Sequence, residues 1–61
     1  MKTATLITAK GDRIKVYATT EHPDSHYGRE VWVDENNIAY LEVDSRFPNP
    51  FYRVVDVKEE E

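Results

Sequence analysis

His22, Asp24 and His26 stand at alternate positions of the segment His22-Pro23-Asp24-Ser25-His26, and two imidazoles with a carboxylate are a donor set that a divalent metal accepts. The same residues also spell a proline-stiffened loop turned by an aspartate side chain. Nothing in the neighbouring sequence supplies the further hydrogen bonds that orient metal-bound imidazoles. The expectation is therefore a loop with no resident metal and no cofactor. Ser25 beside His26 offers a hydroxyl next to a base, but adjacent residues of an extended loop point apart and no orienting acid is implied. Glu30 and Glu42 could be paired as acid and base, yet an exposed strand face gives no shielding to drive their pKa values apart. No residue is assigned a catalytic role, and the chain is expected not to be an enzyme.

The aromatic residues form the stronger constellation. One Trp, four Tyr and two Phe is a generous share for 61 residues. Strand alternation places Tyr17, Trp32 and Tyr40 on the face opposite the small aliphatics, a stripe flanked by Lys15, Glu30 and Glu42 of the kind that recognises another protein. The competing reading buries Trp32 in a second mini-core with Leu6, Ile38 and Val54, because large rings are usually highly buried. Arg13, Lys15 and Arg53 beside the same rings give a second functional class, nucleic-acid binding by stacking on a small barrel. The stretch from Arg46 to Tyr52 is similar to the proline- and tyrosine-containing stretch before the last strand of peptide-binding SH3 domains. The chain lacks the acidic tyrosine-rich opening and the paired tryptophans of that family, and the bland reading makes Phe47 and Phe51 plugs for the end of the core.

Charge ranks these classes. Eight Lys and Arg against twelve Asp and Glu give a net charge of −4, with Glu59, Glu60 and Glu61 at the end of the chain. An acidic balance opposes the counterion release on which nucleic-acid affinity depends, so a protein partner comes first and nucleic acid second. With no cysteine there is neither a disulfide scaffold nor a thiolate site, which fits a reducing compartment. The longest apolar runs, Val31 to Val33 and Ile38 to Leu41, are far too short to span a membrane, and no charged leader precedes an apolar run. The chain reads as a complete cytoplasmic protein, a monomer or a weak homodimer.

A chain of this length holds one domain, residues 1–61, and buries only roughly 60% of the surface its unfolded form exposes. Carving a pocket of about 300 Å3 out of so small a core would remove much of what holds it together. β-branched and aromatic residues recur in short runs with no helical periodicity, which predicts five strands: Thr3 to Ala9, Arg13 to Thr19, Arg29 to Asp34, Ile38 to Val43 and Phe51 to Val57. The predicted fold is all-β, a small five-stranded antiparallel barrel or roll, SH3-like ahead of OB-like because the long loop follows the second strand and no helix is available as a cap.

A two-residue Gly11-Asp12 turn would pair Ala9 with Ile14, Ile7 with Val16 and Thr5 with Ala18, and set Leu6 across from Tyr17. For the second hairpin a three-residue loop wins. With Asn37 left-handed it pairs Val33 with Ala39 and Val31 with Leu41, whereas a two-residue loop would put Glu42 among core residues. Its corollary is Trp32 across from Tyr40, and the expected core is Val16, Val31, Val33, Leu41 and Val55.

Overall fold

The computed structural model describes residues 1–44 and 49–59, the side chain of His26 excepted. The strands are β1 (Lys2–Thr8), β2 (Arg13–Thr19), β3 (Val31–Val33), β4 (Ala39–Glu42) and β5 (Tyr52–Glu59), with a short 3-10 turn at His26–Gly28. All five form one antiparallel sheet in the order β4-β3-β2-β1-β5. The sheet is not closed into a barrel. β3 is shorter than its sequence run, and β5 continues to Glu59, which pairs with Lys2, so the acidic end is part of the sheet at least that far.

The first hairpin corrects the register expected from the sequence. Gly11 N–H donates to the Thr8 carbonyl and Thr8 N–H to the Asp12 carbonyl, which makes a three-residue loop with Gly11 left-handed at φ 89°. Ala4 then pairs with Val16 and Leu6 with Ile14, and Leu6 does not meet Tyr17. β1 therefore shows the core its other face: Ala4 and Leu6 are buried there, in place of Thr5, Ile7 and Ala9. An odd shift in register exchanges every side chain between faces.

The second hairpin keeps its expected loop. Asn37 is left-handed at φ 63°, its N–H donates to the Asp34 carbonyl, and Val33 pairs with Ala39. A bulge beyond that pair sets Val31 opposite Glu42 and not Leu41, so Trp32 faces the bulged Tyr40–Leu41 pair. A second bulge in β5 lies across from Ala4, with Asp56 left-handed at φ 54°.

The core is built around Ala4, Leu6, Val16 and Trp32, with Ile14, Ala18, Tyr40, Leu41, Val43, Tyr52 and Val54 packed against them. Every strand contributes to it, so the sheet is rolled around this one face. Trp32 is 2% exposed and belongs to the core with Leu6 and Val54, while Ile38, also expected there, is exposed. Val31 and Val33 are buried on the opposite face, since Ala18 pairs with Trp32 and Tyr17 with Val33. Val55 pairs with Thr5, away from the core, and is half-buried. Phe51 is exposed and plugs nothing; Phe47 lies outside the described residues. No helix among the described residues is long and apolar enough to cross a membrane.

Candidate functional site

All five strands are antiparallel to their neighbours, so the two edges, β4 and β5, run in the same direction. They come together near their starts, where the rings of Tyr40 and Tyr52 stand 5.3 Å apart at 51°. Beyond that contact a groove of about 530 Å3 lies between them. Leu41, Glu42, Val43 and Asp44 form one wall. Lys2, Tyr52, Arg53, Val54 and Val57 form the other, and Trp32 lies at the bottom.

One carboxyl and one amide side chain hold the converging end in place. Asp34 is buried; its Oδ1 accepts the N–H groups of Asn36 (2.8 Å) and Ile38 (3.0 Å), and its Oδ2 accepts the Tyr40 hydroxyl at 2.6 Å. The hydrogen bond from Tyr40, followed by that from Ile38, holds the Asp34 carboxyl below the usual range. The same bond, with burial and the nearby charge, pushes the Tyr40 phenol up to about 12. On the other edge Asn49 Oδ1 accepts the N–H groups of Phe51 and Tyr52, fixing where β5 begins.

The predicted stripe of Tyr17, Trp32 and Tyr40 is divided. Trp32 and Tyr40 share the rolled face, whereas Tyr17 is on the other with Val33. Tyr17 and Tyr40 nevertheless meet at a second cleft of about 570 Å3, between β2 and the β3–β4 turn, which also has Arg13, Lys15, Asp34 and Glu35 in its lining. The three basic residues divide likewise: Arg13 and Lys15 belong to this cleft and Arg53 to the groove.

The histidine segment is organised by His22, whose side chain is 9% exposed. Nε2 lies 2.7 Å from the Asn37 carbonyl oxygen, which can only accept, and Nδ1 accepts the Asp24 N–H at 3.0 Å. The ring is thereby fixed as the Nε2–H tautomer with both nitrogens engaged, and a metal would have to displace one of these bonds. Among the described residues no three metal-ligating side chains converge. Ser25 Oγ–H donates to the Arg29 carbonyl, so its proton serves the loop.

Tyr27 stands outside every strand pattern and every motif weighed above. It is 98% exposed at φ 56°, followed by Gly28 at φ 71°. A bulky residue before glycine in a polar loop is the one sequence signal for it. Comparison with protein-family models, with curated proteins and with solved structures finds no match for the chain.

Proposed function

We infer that the chain is a non-catalytic protein-binding module, a small SH3-like roll acting in the cytoplasm, with the groove between β4 and β5 as its binding surface. The observation that carries this reading is an apolar groove floored by Trp32 between two sheet edges that do not pair with each other. Open edges and uncovered apolar surface are what polypeptide partners engage. Val57 is 52% exposed at the lip, an apolar side chain that a partner would shield. The long β2–β3 connection and the lack of a capping helix among the described residues favour SH3-like over OB-like.

Val57→Asp tests the reading with little risk to folding. Immobilised wild type is expected to retain a protein from its native lysate that the variant does not. Identical retention by both would remove the groove from the reading. Nucleic-acid binding, the second reading, draws support from Arg53 at the groove and Arg13 and Lys15 at the cleft. Saturable binding of single-stranded oligonucleotides at low salt, lost in Arg53→Ala, would put it first.

A further inference from the structure

Tyr27 carries two unfavourable features at once. Its side chain is 98% exposed, so a large ring stands in water and packs against nothing in the chain. Its φ of 56° sets it in the left-handed region, where the Cβ of an L-residue is crowded and a bulky side chain is rare; Gly28 follows at φ 71°. The loop keeps this shape because it is tied down. His22 is bonded to the Asn37 carbonyl and to the Asp24 N–H, Ser25 N–H donates to the His22 carbonyl at 2.9 Å, and Ser25 Oγ–H donates to the Arg29 carbonyl. The last bond joins the two ends of residues 25–29 and leaves Tyr27 at the middle of the span. Strain that a chain retains in a tied loop points to contact outside it.

We propose that Tyr27 is an anchor that enters an apolar, basic-rimmed pocket of a protein partner. Tyr27 lines neither the β4–β5 groove nor the second cleft, so the proposal stands apart from the groove reading and does not rest on it. A tyrosine ring offers a large contact area with only two side-chain torsions to fix, and a loop held in one shape loses little freedom on docking. Single rings of this kind, seated in a pocket, dominate the binding energy of many interfaces. The sign of the rim follows from the flanking charges. Glu21, Asp24 and Glu30 are exposed carboxylates, and the guanidinium of Arg29, which opposes them, lies 3.6 Å from the Glu42 carboxylate. A negative surround on a chain of net charge −4 attracts Lys and Arg and repels nucleic-acid phosphates.

Two experiments test the assignment, and the first needs no partner. Tyr27→Asn removes the ring and brings in a residue that tolerates the left-handed region, so its melting temperature should equal that of wild type or exceed it by a few degrees. A fall of more than about 5 °C would overturn the proposal, because the ring would then be supporting the fold. The second replaces Tyr27 with photoreactive p-benzoylphenylalanine and irradiates the full chain in its native lysate, with the same label at exposed Lys10 as the control. A protein joined to position 27 and not to position 10 is identified by mass spectrometry and purified. Tyr27→Ala should weaken its binding at least about tenfold, and Tyr27→Phe less than Tyr27→Ala. Glu21→Lys and Glu30→Lys together should slow association severalfold at low salt and little at high salt. Absence of an adduct specific to position 27, an affinity indifferent to Tyr27→Ala, or association unchanged or faster after charge reversal would each sink the proposal. Partition onto phosphatidylcholine vesicles that Tyr27→Ala abolishes would do so as well, making the ring a membrane anchor. Lysate capture that proves indifferent to Val57 removes the groove and leaves these outcomes unchanged, since the label reports position 27 alone.

Discussion

The ring of Tyr40 stands 5.3 Å from that of Tyr52, although their strands are the two opposite edges of the sheet. The sheet is therefore rolled far enough for its edges to touch at one end. Parallel alignment of β4 and β5 leaves them to diverge at the other, and the groove is the consequence. Removing a ring should loosen the roll without erasing the strands. Tyr52→Ala is expected to destabilise by about 2 kcal/mol, since the side chain is half-buried and part of the cost is a filled contact. Tyr52→Phe should lie within about 0.5 kcal/mol of wild type, because its ring packing, not its hydroxyl, makes the contact. Equal urea midpoints for Tyr52→Ala and wild type would mean that the edges are held by something else.

The Asp34–Tyr40 bond makes stability depend on pH at both extremes. Asp34 titrates lower when folded than when unfolded, so its contribution is present above about 3.8 and lost as pH falls through the lower folded value. Tyr40 titrates higher when folded, so its contribution is complete below 10 and disappears as pH rises towards about 12. Between these limits the pair contributes a constant amount. Urea melts of wild type and Tyr40→Phe should run at a fixed separation from neutral pH to about 9 and draw together above it. A separation unchanged to pH 12 would show that the phenol does not donate to Asp34.

Much of this arrangement was legible in the residues. Asn37 at the tip of the second hairpin, the three-residue loop and the Val33–Ala39 pair are found as expected, but the reason that selects them from the sequence, keeping Glu42 from facing Val31, does not hold, because the bulge sets those two residues opposite each other. The face of Trp32 did not follow, for a reason visible in β3 itself. Val31, Trp32 and Val33 are all buried, and a strand covered on both sides reads as an unbroken apolar run with no alternation to say which side is the core. β1 failed differently, because Gly11 suits both a two-residue and a three-residue turn and only the latter satisfies the Thr8 and Asp12 backbone. The bulges at Leu41 and Asp56 have no signature in a single chain, since each adds one residue to a strand that is otherwise regular.

Trp32→Ala should be among the most damaging single changes. The ring is nearly inaccessible and lies in a core to which all five strands contribute, so truncation is expected to cost about 3 to 5 kcal/mol. In a domain of this size that removes most of the folding free energy. Leu41→Ala, half-buried beside it, should cost about 2 kcal/mol. A Trp32→Ala protein with a cooperative melt near that of wild type would show that the roll does not close over the indole.

Gly11→Ala tests the corrected turn. A Cβ at position 11 meets no atom within 4 Å, so any loss reports the backbone alone. With φ at 89° the expected cost is about 1 to 2 kcal/mol, that of holding an L-residue left-handed. Asn37→Gly should be neutral to within about 0.5 kcal/mol, because glycine adopts the same conformation freely while asparagine already tolerates it. No change in Gly11→Ala would show that position 11 is not held left-handed in the turn.

His22 decides between a metal site and a clasp. Its ring joins the β2–β3 connection to the β3–β4 turn through the Asn37 carbonyl, and its second nitrogen caps Asp24 within the connection. Zinc coordination at either nitrogen would sacrifice one of those bonds, and among the described residues no third ligand is positioned to compensate. Equimolar zinc is therefore expected to leave the His22 ring signals and the Asn37 and Asp24 amides unshifted. His22→Ala, in contrast, should raise amide exchange throughout residues 20–30 and lower stability by about 1 to 2 kcal/mol, the loss of a largely buried hydrogen-bonded side chain. His22→Gln restores a donor but not the reach of the ring and should fall between the two. Saturable zinc shifts at His22 that leave the exchange of residues 20–30 unaltered would reverse the assignment, making the imidazole a ligand and the Asn37 contact incidental.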